Sequence, residues 1–259
     1  MGAVGVTAEG LGLKGPRGWA FRGLRVEAEP GSLITVEGPS GSGRTSVLLA
    51  LTGRMKATEG TAAVGGAVLP KQSAAVRRVS ALANVAGITD LDPALTVGEH
   101  LRERALLQRR FGSSLRSVLR PRAERATEAQ LRIGTALAAA GLDPEDLPKG
   151  SRTAVRDLER LEALRLSVAL ALIGRPGLLG LDDTDLKLSE AERAEVWALL
   201  GSLAEAGTTV VAVCSEAPDG AVKVSTRQSQ ESRQPQQTRQ SQEIQGEEKA
   251  DALAETRRA

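Results

Sequence analysis

The spacing of apolar positions changes character several times along the chain. Residues 2–37 hold short runs in which apolar and polar positions nearly alternate, as in WAFRGLRVEAE, separated by Gly/Pro turns; this predicts a β-rich start. The run LITVEG is apolar enough for a buried strand and stops at a glycine-rich loop. After it, RTSVLLALTGRM carries Val47, Leu48, Leu49 and Leu51 on a helix-like stretch ending near Gly53. Helical patterning dominates from about 96 to 174, broken by Gly112, Pro121 and the turn GLDPEDLPKG, and predicts a helical subdomain. Then come the apolar strand of RPGLLGLDD, an Ala/Glu/Leu-rich helix over 189–206, and a second buried-type strand, TTVVAVCS. Apolar strands joined by helices imply an α/β fold with a mostly parallel sheet. No internal repeat recurs at a fixed period.

From about Ser225 the composition shifts: the remaining segment holds eight of the eleven glutamines and almost no large apolar residue. Such a segment buries too little surface to offset its ordering entropy, so 225–259 is expected to be a disordered tail behind a folded domain over 1–224. A chain of 259 residues, 41% hydrophobic, suffices for one α/β domain with an appendage. No apolar run approaches the ~18 residues of a spanning helix. The start, MGAVGVTAEGLGLKG, lacks the cationic and apolar regions of an export signal, so a cytosolic location is expected.

Cys214 and His100 are the only cysteine and histidine, which argues against a disulfide framework or a structural zinc site. His100 reads as a solvated helix position. A formal charge of +2 gives no whole-protein attraction to nucleic acid, and two Phe, two Trp and no Tyr leave few surfaces for stacking bases.

Residues 38–46 read GPSGSGRTS: Gly38, Pro39, Ser40, Gly41, Ser42, Gly43, Arg44, Thr45 and Ser46. They complete the phosphate-loop pattern G-x-x-x-x-G-K-[ST] except that Arg44 stands where lysine is usual. In such a loop consecutive backbone N–H groups cradle phosphate oxygens, the cation reaches the same oxygens, and the hydroxyl of Thr45 faces a metal. Its position between an apolar strand and a helix fits a P-loop NTPase-type domain; the alternative is a glycine turn. Arginine keeps the charge but is planar and fork-shaped, so it does not replace a compact ammonium like for like. A second half-site is supplied by Asp182 at the end of GLLGLDD, which with Thr45 could hold Mg²⁺ on the phosphates. Alternatively, Asp182 and Asp183 only begin a turn.

Over residues 2–215 the chain resembles the nucleotide-binding subunit of ATP-binding cassette (ABC) transporters. The resemblance is carried by GPSGSGRTS, by EGTAAVGGAVLP as the following hairpin, by DPALTVGEHL as the entry to the helical subdomain, and by VALALIGRPGLLGLDD as the run into the second motif. It implies an N-terminal antiparallel β-subdomain and a helical subdomain inserted at about 96–174. It further implies ATP and Mg²⁺ as ligands, a separately encoded transmembrane subunit, a homo- or heterodimer of cassettes, and a place at the cytoplasmic face of the membrane. Several positions depart from the family. Asp183 stands where a glutamate positions the attacking water, and is the weak catalytic candidate. LERLE at 158–162 replaces the signature motif, with Glu159 at its serine. Gly87 takes the place of a metal-sensing glutamine, Ser189 that of an aspartate, and Ser215 that of the switch histidine. Of Trp19 and Phe21, the two aromatic residues that could stack on adenine, Trp19 is the better candidate, the alternative being packing within the β-region. The family's terminal strands and helix look truncated.

Together these departures imply ATP binding with weak or absent hydrolysis. Two alternatives remain: a non-enzymatic scaffold without nucleotide, and a cytosolic cassette protein acting on nucleic acid. Residues 102–125 hold eight arginines against two glutamates, with Leu106, Leu107, Phe111, Leu115, Val118 and Leu119 at near-helical spacing. This stretch reads as a solvated face, as a surface for a membrane partner or anionic lipid, or as a nucleic-acid contact.

Overall fold

In the N-terminal segment alternation produces strands because one face of each finds a core. In β1 (Val6–Gly15) Val6, Ala8, Leu11 and Leu13 are buried while Thr7, Glu9 and Lys14 face out; in β2 (Gly18–Ala28) Phe21, Leu24, Val26 and Ala28 are buried. With β4 (Glu59–Val64) and β5 (Ala67–Leu69) they form a four-stranded antiparallel sheet in the order β2-β1-β4-β5. The computed structural model describes residues 2–16, 18–111 and 122–226.

The second sheet has the order β6-β7-β8-β3-β9, with every pair parallel. Its strands are β3 (Leu33–Glu37), β6 (Ser80–Ala83), β7 (Leu178–Leu181), β8 (Thr209–Cys214) and β9 (Val222–Ser225). Both faces are covered, so β6, β7 and β8 are buried at every position. Val211 and Val213 point into the core shared with the antiparallel sheet and with α1 (Arg44–Leu51), whereas Val210 and Ala212 point into the core shared with the later helices. At Gly180 a Cβ would lie 2.8 Å from Leu48 Cδ1, so the missing side chain is what lets α1 lie close to β7.

After α2 (Ser73–Val79), the helical layer comprises α3 (Val97–Phe111), α4 (Arg122–Ala139), α5 (Arg160–Leu172) and α6 (Glu190–Glu205), with three short 3₁₀ turns between 144 and 157. The helix expected over 189–206 is thus α6, capped by Ser189. Its backbone N–H donates to Glu192 Oε2 at 2.7 Å, and its hydroxyl accepts from the Glu192 N–H at 3.3 Å. This reciprocal box occupies the position where the family resemblance calls for aspartate. Ser189→Ala is expected to lower stability by about 1 kcal/mol in denaturant melts.

Three features differ from the sequence expectation. His100 is buried, 8% exposed, with Nε2 3.3 Å from the Asp92 carbonyl, because the segment before α3 folds back over it. The sheet does not end at β8: Val222–Ser225 adds the edge strand β9 beside β3, a run too short and too polar to stand out next to glutamine-rich sequence. Ser225, read as the start of the tail, pairs with Glu37. The rest of the expected tail, from residue 227, and residues 112–121 of the Arg-rich stretch lie outside the described residues. Among the described residues no helix is long and apolar enough to cross a membrane.

Candidate functional site

The glycine-rich loop turns sharply between β3 and α1 because three of its residues adopt left-handed backbone: Gly38 at φ 152°, Gly41 at 77° and Gly43 at 89°. The Ser42 N–H donates to the Pro39 carbonyl at 3.1 Å, closing the turn, and leaves Pro39, Ser40 and Gly41 exposed at its crest. Gly43 is the N-cap of α1 and supplies no side-chain cap, so the helix's first N–H groups lack the partner that a Ser or Asp cap provides. A turn of backbone amides running into a helix N-terminus is a phosphate-binding geometry. Ser46 is half-buried in the first turn of α1.

At the end of β7 the Asp182 carboxylate meets the loop. Its Oδ2 accepts from the Thr45 hydroxyl at 2.6 Å and its Oδ1 from the Asp183 N–H at 3.0 Å. Burial raises the Asp182 carboxyl above the ordinary aspartate range. The Thr45 bond opposes that, the Asp183 charge adds to it, and Arg44 pulls it down. A hydroxyl and a carboxylate are hard oxygen donors suited to Mg²⁺. Among the described residues no group of three or more His, Cys, Asp or Glu gathers to hold a metal, so a cation here needs phosphate and water oxygens as well. That is the donor set of a metal that arrives with a nucleotide. Asp183 itself is at φ 49°, a left-handed conformation uncommon for a non-glycine residue.

Arg44 is engaged with the strand beside the loop. Its Nη1 donates to the Cys214 carbonyl at 2.6 Å, at the C-terminal end of β8. That end is held on its other side as well: Thr184 Oγ1 donates to the Val213 carbonyl at 2.8 Å, and the Ser215 N–H donates to Asp185 Oδ2 at 2.6 Å. Burial, with the Asp185 and Glu37 charges, pushes the Cys214 thiol up to about 12, so this cysteine is not a nucleophile.

Sequence reasoning overlooked Asp185, and it also overlooked Asn84. The Asn84 side chain, directly after β6, donates to the Asp182 carbonyl at 2.8 Å, and its N–H donates to Ser167 Oγ of α5 at 2.7 Å. It stands at the strand end, whereas Gly87 lies in the next turn with its N–H on Asp90 Oδ2. A polar residue ending a short apolar run was the one signal for it.

The two remaining candidates are set apart from this cluster. Glu159 is exposed at the N-cap of α5, its N–H donating to Glu162 Oε2 at 2.8 Å; an acid there is favoured by the helix dipole. Trp19 is half-buried in β2. Arg22 lies 4.5 Å and Lys14 Nζ 5.7 Å from its ring centroid, and Gly12 leaves room for the ring edge. Its neighbour Ala20 touches the loop, since a Cβ on Gly43 would lie 2.2 Å from the Ala20 carbonyl oxygen.

A phosphate loop after β3, an interior strand of the parallel sheet, with an acidic strand end near it, an antiparallel sheet on one face and helices on the other, defines a P-loop nucleotide-binding domain of the cassette type. The profile of the ABC transporter family matches residues 21–185, and the chain belongs to that family. It is 32% identical over 189 residues to a Nod factor export ATP-binding protein I of Cupriavidus metallidurans, covering 73% of this chain and 55% of that one. It is 31% identical over 207 residues to the cytochrome c biogenesis ATP-binding export protein CcmA of Pseudomonas putida, covering 78% and 86%. The chain spans about half the length of the first relative and under a fifth of the Arabidopsis thaliana ABC transporter A family member 10. In fold it is similar to the dimeric ATP-binding cassette MJ0796 bound to ADP and Pi, with a TM-score of 0.60 at 21% identity over 82% of this chain and 88% of that one.

Proposed function

We propose that the chain is the ATP-binding subunit of an ABC-type membrane transporter and binds Mg-ATP with weak or no hydrolysis. The observation that carries it is the meeting of Thr45, in loop 38–46, with Asp182: their oxygens lie 2.6 Å apart beside the cradle of backbone amides. In this reading the loop N–H groups and the N-terminus of α1 hold the phosphates, and Thr45 and Asp182 hold Mg²⁺. The bound cation neutralises phosphate charge. The relatives named as export ATP-binding proteins favour a separately encoded transmembrane partner and a peripheral place at the cytoplasmic face. The neighbour described as dimeric favours a cassette dimer.

Slow turnover is supported by four features. The Arg44 guanidinium is engaged at the Cys214 carbonyl, and Asp183 is one methylene shorter than the glutamate of the family. Glu159 would face the nucleotide across a dimer, and Ser215 offers no imidazole. Titration calorimetry of the chain with ATP, with and without Mg²⁺, followed by chromatography of the recovered nucleotide, is expected to give saturable Mg²⁺-dependent binding and intact ATP. No saturation favours the scaffold reading. Turnover in the ~1–100 per second range of phosphoryl transfer overturns the weak-hydrolysis reading. The double variant Arg44→Lys/Asp183→Glu is expected to raise ATP turnover about tenfold, or 1.4 kcal/mol of barrier; an unchanged rate shows that neither side chain limits it.

A further inference from the structure

The phosphate loop is held from below by a residue 184 positions away. Thr226, directly after β9, is fully buried, and so is the Ser42 side chain in the middle of the loop. The register Val36↔Val224 and Glu37↔Ser225 brings Thr226 opposite Gly38, the first residue of the loop. There the Thr226 N–H donates to the Glu37 carbonyl at 2.9 Å, and its hydroxyl donates to the same oxygen at 3.1 Å. The Ser42 Oγ and Thr226 Oγ1 atoms lie 2.5 Å apart as a hydrogen-bonded pair in which either hydroxyl can donate; when Thr226 donates to the Glu37 carbonyl, Ser42 donates to Thr226. Contact continues at Gly38, where a Cβ would lie 2.1 Å from Thr226 Oγ1. Two buried hydroxyls that satisfy each other across separate segments fix both segments, since breaking the pair strands a buried polar group.

We propose that Thr226 is a positioning residue for nucleotide binding: through the Ser42 hydroxyl and the Gly38 backbone, the exit of β9 fixes the phosphate loop in its cradle conformation. Thr226 lies too deep to meet a ligand and acts only through the loop. The proposal rests on the nucleotide reading above, but its structural half can be tested without nucleotide. The Ser42 N–H, closed onto the Pro39 carbonyl, reports whether the turn is held.

The experiment uses the full chain with Thr226→Val, which keeps the shape and removes the hydroxyl, and Thr226→Ser, which keeps the hydroxyl. Hydrogen exchange at the Ser42 amide is followed in both, along with calorimetric ATP affinity and the melting temperature. Thr226→Val is expected to speed exchange at Ser42 and weaken ATP about tenfold, with Thr226→Ser close to the parent in both. In the Ser42→Ala background, Thr226→Val is expected to cost no further affinity, because the link is already cut. Unchanged Ser42 exchange in Thr226→Val overturns the proposal, whatever the affinity does. Weakened ATP binding that scales only with a lowered melting temperature and is not rescued by Thr226→Ser also overturns it, reducing Thr226 to a fold-stabilising residue. If the parent itself binds no ATP, the nucleotide reading fails while the exchange data still decide whether Thr226 holds the loop.

Discussion

Gly43→Ala is expected to abolish measurable nucleotide binding while leaving the two sheets folded. Two separate costs fall on this position. The backbone at φ 89° is unfavourable for any residue with a Cβ, at roughly 1–2 kcal/mol. In addition, the Cβ would lie 2.2 Å from the Ala20 carbonyl oxygen and 2.7 Å from its carbon, both backbone atoms of β2 that no rotamer change can move. The loop must therefore shift away from β2, taking the first amides of α1 with it. Hydrogen bonds to a charged partner contribute about 1.5–3 kcal/mol each, so misplacing two of them weakens phosphate binding about a hundredfold or more.

Gly41→Ala is the internal control. Its φ of 77° carries a similar conformational cost, but a Cβ there meets nothing within 4 Å, so the loss should stay near tenfold. Calorimetry with Mg-ATP, alongside far-UV circular dichroism to verify the fold, orders the two variants. Equal losses at Gly41 and Gly43 would show that contact with β2 does not position the loop.

The sequence discloses the parts of this site that are local in the chain. GPSGSGRTS, the helix after it, the strand ending in Asp182 and the strand TTVVAVCS are each read from a few adjacent residues, because apolar period and turn chemistry are local properties. The structure adds what depends on pairing between distant segments. That Arg44 reaches the Cys214 carbonyl depends on β8 lying beside β3, a neighbour relation that no short stretch encodes. Asn84 and Asp185 look like ordinary loop residues until β6, β7 and β8 come into register and place their side chains on the Asp182 carbonyl and the Ser215 N–H. Thr226 is hidden in another way: composition assigns it to a polar tail, and only the pairing of β9 with β3 brings it under the loop. Burial of His100 likewise follows from a fold-back that an amphipathic pattern does not reveal.

Asp182→Asn is expected to raise thermal stability at neutral pH and to remove the Mg²⁺ dependence of nucleotide binding, and the two effects share one cause. Asp182 is 5% exposed, and burial raises its carboxyl above the ordinary value, so ionising it costs more in the folded chain than in the unfolded one. The sign follows directly. Between the unfolded value of 3.8 and the raised folded value, the native state holds a proton that the unfolded state has released. This group's favourable contribution is therefore complete below the unfolded value and is lost as pH rises through the folded one, leaving the ionised carboxylate as a standing cost at neutral pH. Asparagine removes that cost and can keep both contacts: Oδ1 accepts from the Asp183 N–H, and the amide donates to Thr45 Oγ1 once that hydroxyl rotates.

In a domain of this size about 1 kcal/mol raises the melting temperature by roughly 2–4 °C. The gain should appear near pH 7 and shrink as pH falls through the raised value of the parent carboxyl. The amide offers no anionic oxygen for a metal, so Mg²⁺ should no longer strengthen ATP binding. Melting curves across pH and calorimetry with and without Mg²⁺ test the pair of effects together. A variant that melts lower than the parent at neutral pH would show that the Asp182 charge is stabilised in place, and retained Mg²⁺ dependence would move the metal site elsewhere. A more stable, metal-indifferent variant would show that this strand end keeps a buried charge at the expense of the fold because the ligand requires it.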